Sequence, residues 1–176
     1  RMILPAPPLD HHNGPGDFIY KTLYNNPMHK NFFQTSDFIL YVNLIASITL
    51  EYFYPTKLWI NHNIFFGIIL LIIGWKIIYK TKIEFKKYQQ KSGPNNDIKE
   101  IINTGIYRYS RNPIYIAVLI INIGLSFIIN SIWILIDTFM IAWMLNYFLI
   151  KKEEKFLLEK FSDKYIEYKN KTRKWL

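Results

Sequence analysis

The sequence predicts an all-α, polytopic helical membrane protein with about four transmembrane helices and a C-terminal amphipathic helix. Three observations carry this. Lipid-like stretches alternate with Lys-rich ones, so the mean hydropathy of +0.03 averages two unlike populations. Residues 114–150 hold one formal charge, Asp137. Of the 22 Lys and Arg residues, nine lie in 76–113 and nine in 151–176, each group beside an apolar stretch. Lipid offers the backbone no hydrogen-bond partners, and a helix satisfies its own.

Taken in order, residues 1–36 form an arm that is interfacial or flexible. Pro5-Ala6-Pro7-Pro8 and Asn13-Gly14-Pro15-Gly16 forbid a long helix there. The arm shows no continuous apolar core of the kind a signal peptide needs. A membrane domain is expected over 37–176. Its first span, 37–54, is the least regular, because Asn43, Ser47, Thr49 and Glu51 interrupt it. The second, 58–79, contains the almost wholly apolar run from Ile64 to Trp75. Spans at 114–130 and 131–150 form a tight helical hairpin of about the length that crosses the hydrocarbon core, roughly 17–25 residues. A helical tail over 151–170 follows, where Leu158, Phe161, Tyr165 and Tyr168 recur at helical spacing between Lys and Glu.

Charge then orients the bundle. The connection between the first two spans has only Lys57 and the hairpin turn has no base, whereas the long loop and the tail hold eighteen. The positive-inside rule puts both termini and the long loop on the cytosolic side of a multi-pass protein, in a bacterial inner membrane or an endoplasmic reticulum alike. Bases so placed are explained by orientation and anionic headgroups, so the net charge of +9 is not an argument for nucleic acid. The absence of cysteine excludes disulfides, thiol nucleophiles and Cys-ligated metals. His11 and His12 lack a third ligand nearby, and no metal site is expected.

The polar chemistry concentrates at the expected cytosolic ends of the hairpin. Thr104-Gly105-Ile106-Tyr107-Arg108-Tyr109-Ser110-Arg111-Asn112-Pro113-Ile114-Tyr115 precedes it, and Glu153-Glu154 follows it. Asn112 is a good N-cap and Pro113 a good first helical residue. A helix start also offers free N–H groups and a positive dipole to an anion such as a carboxylate, with Arg108 and Arg111 adding charge. Asn146, Ile150 and Glu153 or Glu154 share one helical face, from which a carboxylate could receive an ammonium group or ribose hydroxyls. Asp137 falls toward the opposite end, where Asn122 or Asn130 is the expected structural partner.

The ordered set Thr104-Gly105-x-Tyr107-x-x-x-Arg111-Asn112-Pro113-x-Tyr115, apolar hairpin, Glu153-Glu154 and Phe161-x-x-x-Tyr165-x-x-Tyr168 resembles the isoprenylcysteine carboxyl methyltransferase and phospholipid methyltransferase superfamily, over about residues 64–176. That resemblance implies an integral membrane enzyme using S-adenosylmethionine, with a lipid-like or prenylated acceptor, carboxylate or amine, and no obligate protein partner. It places cofactor contacts on Lys99, Glu100, Ile101, Ile102, Tyr107, Arg111, Asn112, Pro113, Tyr115, Glu153 and Glu154, and catalytic roles on Arg111, Asn112 and Glu154. Two positions depart from the family pattern. Asn112 stands where the family commonly has His, which removes any imidazole base, and Ser162 stands for the usual Gly.

Two other readings are compatible with the sequence. Membrane sterol-type reductases, which use NADPH, have a similar C-terminal pattern. A non-catalytic protein could also retain this fold as an interaction module.

Overall fold

The computed structural model describes residues 41–57, 63–89, 98 and 100–176. The N-terminal arm with His11 and His12, the ends of the first two expected spans (37–40 and 58–62) and Lys99 lie outside the described residues. What is described is mostly helical. Helix α1 covers residues 41–53. Helix α2, Ile64–Lys87, starts at Asn63, whose side chain accepts from the Phe66 N–H, and runs past the expected end at 79 through the basic segment. A short 3-10 turn, Gly105–Arg108, leads to α3, Pro113–Ile129. Asn130, in the left-handed region, ends α3. Asn tolerates that conformation better than most residues. Ser131 then caps α4, Ile132–Met144, so only a short turn separates the two helices.

The chain stays helical beyond α4, but not uniformly. Leu145–Ile150 is a π-helical stretch, and α5, Lys151–Phe161, continues from it without a break. The helix stops at Ser162, and α6, Asp163–Lys171, resumes beyond it, so the expected single tail is two helices. Among the described residues, α2 and the continuous Ile132–Phe161 helix are long and apolar enough to cross a membrane, while α3 is shorter at 17 residues. Only 17% of the apolar window of α2 and 33% of that of Ile132–Phe161 is buried within the protein. Phe65, Trp75, Phe139 and Trp143 point outward. A soluble protein would bury such helices, so the outward apolar surface has the character of a membrane-facing one.

Small residues set the packing of α2 on α3. A Cβ at Gly67 would lie 2.6 Å from the Gly124 carbonyl oxygen, and one at Gly74 would lie 2.5 Å from Ile121 Cγ1 and 3.1 Å from the Ala117 carbonyl oxygen. Gly67 thus meets Gly124 and Gly74 meets Ala117, an antiparallel contact repeating every seven residues on both helices. In lipid, close backbone approach of this kind is a main source of helix association.

The polar residues that break up the first span have a collective explanation. Asn43, Ser47 and Glu51 are spaced four apart and form one stripe facing α4. The Asn43 amide donates to Met144 Sδ at 3.7 Å, Ser47 hydrogen bonds Asp137, and Ser131 Oγ donates to Glu51. The contacts run 43 to 144, 47 to 137 and 51 to 131, so α1 lies antiparallel to α4. Asp137 is therefore partnered by Ser47 and not by Asn122, one of the two asparagines the sequence suggests. Asn122 instead donates to the Val118 carbonyl of its own helix at 3.0 Å.

Candidate functional site

The site assembles where the start of α3, the end of the π-helical stretch, α5 and α6 converge. Arg111 precedes α3, and its guanidinium Nη1 lies 2.9 Å from Glu154 Oε1. Both side chains are largely buried, at 10% and 18% exposure. The pair is close but misaligned for hydrogen bonding, and the buried Arg111 Nε has no hydrogen-bond partner. Lys169 of α6 approaches the other Glu154 oxygen at 3.5 Å. Arg111 also hydrogen bonds Tyr165, and burial pushes that phenol up from its ordinary value while the guanidinium opposes the shift.

The second carboxylate is held by a different donor. Tyr115, one turn into α3, donates its hydroxyl to Glu153 Oε1 at 2.7 Å. Glu153 lies beyond Ile150, where the apolar stretch of its helix ends. Burial, opposed by the Tyr115 hydrogen bond and reinforced by neighbouring Glu154, pushes its pKa up to about 7. Tyr107 is raised by burial and by nearby Tyr168, Glu153 and Glu84. Its backbone carbonyl accepts from the Tyr168 hydroxyl at 2.7 Å. Tyr168 is itself raised by burial.

Of the residues that sequence reasoning selects, Arg111, Tyr115, Glu153 and Glu154 form one cluster, with Tyr107 at its edge. Pro113 is buried at the first position of α3. Glu100 and Ile101 stand slightly apart, lining a cavity of about 840 Å³ with Thr104, Gly105, Arg108 and Tyr168. Ile102 is buried beside them, and Lys99 lies outside the described residues. The Thr104 hydroxyl that starts the 3-10 turn donates to Glu84 at 2.6 Å, tying this segment to α2.

Asn112 requires a correction. It occupies the N-cap position, yet its side chain makes no capping hydrogen bond. The amide donates instead to the Lys174 carbonyl at 2.8 Å, while the Asn112 N–H is taken by Ser110 Oγ at 3.1 Å. The Arg111 N–H donates to the Arg173 carbonyl at 3.0 Å, and Ser110 forms a parallel bridge with Arg173. An extended strap, residues 172–176, is thereby tied along the segment that starts α3. The Lys174 carbonyl fixes the amide through its NH2 group, and in that orientation the side-chain oxygen accepts no bond from the first N–H groups of α3.

Sequence reasoning misses the strap, the role of Lys169 and the inward role of Tyr165 and Tyr168. The tyrosine pattern is visible as an amphipathic repeat. Its extra signal is that buried tyrosines need partners for their hydroxyls, and here these are Arg111 and the Tyr107 carbonyl.

The sequence model of a family described as phospholipid methyltransferase matches residues 62–164, which contain α2, α3, α4 and both glutamates. The Protein-S-isoprenylcysteine O-methyltransferase of Saccharomyces cerevisiae is 37% identical over 72 residues, or 41% of this chain and 30% of the yeast protein. The match thus spans under a third of that relative's length. Because the family match extends over more than half of the sequence and over the helices that build the cluster, the chain belongs to the phospholipid methyltransferase family.

Proposed function

We propose that the protein transfers a methyl group from S-adenosylmethionine to an apolar-tailed acceptor at the cytosolic face of a membrane, through a bundle of about four spans. The observation that carries this reading is the buried cluster of Arg111, Glu153, Glu154 and Tyr115 beside the cavity lined by Glu100 and Ile101.

The residues suit the cofactor. S-adenosylmethionine combines a carboxylate, an ammonium, ribose hydroxyls and a sulfonium, and when bound it supplies an activated methyl group open to in-line displacement. Arg111, with its unpartnered Nε, and the start of α3 are suited to hold the carboxylate. Glu153 and Glu154 are suited to hold the ammonium or the ribose hydroxyls. Glu100, Ile101 and the Thr104-Gly105 turn supply walls for the nucleoside end. Ile102 and Pro113 are buried alongside, and the Asn112 amide is held by the Lys174 carbonyl. This chain's work is then to bind, orient and exclude water. Asn112 is not a base, and its amide is committed to Lys174. An acceptor carboxylate needs no deprotonation, whereas an amine must arrive neutral or lose its proton to Glu153, whose carboxyl burial raises.

Calorimetric titration of S-adenosylmethionine, and separately NADPH, into detergent-purified protein tests the reading. Saturable S-adenosylmethionine binding that weakens at least about tenfold in Glu153→Gln, the loss of one charge-assisted contact, is the expected result. Binding of NADPH alone would move the chain to reductase chemistry, and silence from both would leave a non-catalytic fold.

A further inference from the structure

One wall of the cavity of about 840 Å³ is a short turn clasped by the end of α2. Gly105–Arg108 is a single 3-10 turn, with the Tyr107 N–H donating to the Thr104 carbonyl at 3.1 Å. One such turn fixes several backbone dihedrals for little hydrogen bonding, so contacts from outside must keep it in place. Three come from one face of α2 and its end, at Glu84, Phe85 and Tyr88. The Thr104 hydroxyl donates to Glu84 Oε2 at 2.6 Å, and the Glu84 side chain is only 12% exposed. Tyr88 Oη lies 3.1 Å from the same Thr104 oxygen and 3.4 Å from Asn103 Oδ1. Thr104 has one hydroxyl proton and gives it to the carboxylate, so Tyr88 is the donor in their contact. The Phe85 ring meets that of Tyr107 edge-on, with centroids 6.0 Å apart. Gly105 completes the fit: its φ is +56°, and a Cβ there would fall on the Glu84 carboxylate. Asn103, Thr104, Gly105 and Arg108 line the cavity, whereas Glu84, Phe85 and Tyr88 stand behind them.

We propose that Glu84 is a positioning residue for the cofactor: it sets the Thr104-Gly105 turn, and through that turn the cavity wall, without touching the ligand. The inference rests on the methyltransfer reading above for what occupies the cavity. Glu84 matters more than its neighbours because its contact is the short, charge-assisted kind, about twice as strong as a neutral one such as that of Tyr88. Lys87, at 4.0 Å from the same carboxylate oxygen and 61% exposed, is too distant to compete for it. On its far side the turn has a second anchor, the Tyr107 carbonyl, which accepts from Tyr168 at 2.7 Å. Tyr168 lines the same cavity. The turn is thus held between α2 and α6. Released by Glu84, it keeps its tie to α6 and draws away from α2, and the spacing between Thr104 and the opposite wall changes with it. An apolar side chain at position 84 would also leave the Thr104 hydroxyl without its acceptor. Glu84 is not among the residues that sequence reasoning selects, because its partner lies 20 residues further along the chain.

Amide hydrogen exchange and S-adenosylmethionine calorimetry, both on the full chain in detergent micelles, test this together. In the ligand-free protein, Glu84→Leu should speed exchange of the Tyr107 amide at least about fivefold while the amides of α3 exchange as in the parent. It should also weaken S-adenosylmethionine binding about tenfold, the loss of one charge-assisted hydrogen bond. Glu84→Gln keeps a side-chain oxygen for the Thr104 hydroxyl and should return both readouts to within about threefold of the parent. Thr104→Val, close in shape but without the hydroxyl, should match Glu84→Leu. The double variant should then bind no more weakly than either single one, because both remove the same contact. Parent-like exchange in Glu84→Leu, faster exchange throughout α3, no rescue by Glu84→Gln, or additive losses in the double variant would each overturn the proposal. A parent protein that does not bind S-adenosylmethionine would sink the methyltransfer reading instead, and the exchange data would still decide whether Glu84 holds the turn.

Discussion

Glu154→Ala should destabilise the protein more than Arg111→Ala, although both delete one half of the same ion pair. Without Glu154, the guanidinium keeps its nine-tenths burial and loses its carboxylate at 2.9 Å, retaining the hydrogen bond to Tyr165. Breaking a buried pair in this way costs about 3–5 kcal/mol. The 18% exposure of Glu154 and nearby Lys169 argue for the lower end, about 3 kcal/mol. Without Arg111, Glu154 keeps Lys169 at 3.5 Å and can rotate toward it. That leaves a cost of about 1–2 kcal/mol, that of a charge-assisted contact partly replaced. Replacing both residues by Arg111→Met and Glu154→Leu removes both desolvation costs, so the double variant should be more stable than Glu154→Ala. Reversible unfolding in mixed micelles, followed by circular dichroism against increasing anionic detergent, reads all of these. Equal losses in the two single variants, or a larger loss for Arg111→Ala, would refute the claim that Arg111 is the buried charge and Glu154 its main partner.

Other perturbations probe the surrounding scaffold. Ser162 breaks the helix between α5 and α6 at φ 43° and ψ −116°, a conformation that favours glycine. Ser162→Gly should therefore stabilise by about 1 kcal/mol, seen as a raised unfolding midpoint. Gly124→Val should loosen α2 from α3, because even a Cβ there lies 2.9 Å from the Gly67 carbonyl oxygen; a loss of about 1–3 kcal/mol is expected in the same unfolding assay. The pH dependence follows Glu153. Its folded pKa is raised, so the stability associated with the neutral carboxyl is present at low pH and lost as pH rises through about 7. A bound cation favours the ionised form, so S-adenosylmethionine affinity should increase between about pH 6 and pH 8. Calorimetry across that range should show the increase in the parent and a flat response in Glu153→Gln.

The helical class and the gathering of charged residues at one end of the apolar hairpin were legible without coordinates because each depends on local chemistry, whereas the pairing of Arg111 with Glu154 was not. Apolar length dictates helices in lipid, Asn130-Ser131 ends one helix and begins the next, and charged residues bracketing an apolar hairpin must meet at its mouth. The resemblance to methyltransferases rests on the same residues, and the family match agrees with it. What the residues could not reveal is who partners whom when several acceptors compete. Asn112 looks like a cap in sequence, and only the folded strap presents the Lys174 carbonyl that captures its amide. Asp137 has two asparagines near it along the chain, but helix packing delivers Ser47 from a segment 90 residues away. The π-helical stretch at Leu145–Ile150 likewise changes which faces of α4 and α5 align, and no residue in it announces the wider turn. Local propensity and periodicity are written into neighbouring residues. Partner choice among buried polar groups depends on distances that exist only once the helices have packed, because a hydrogen bond forms within about 3 Å or not at all.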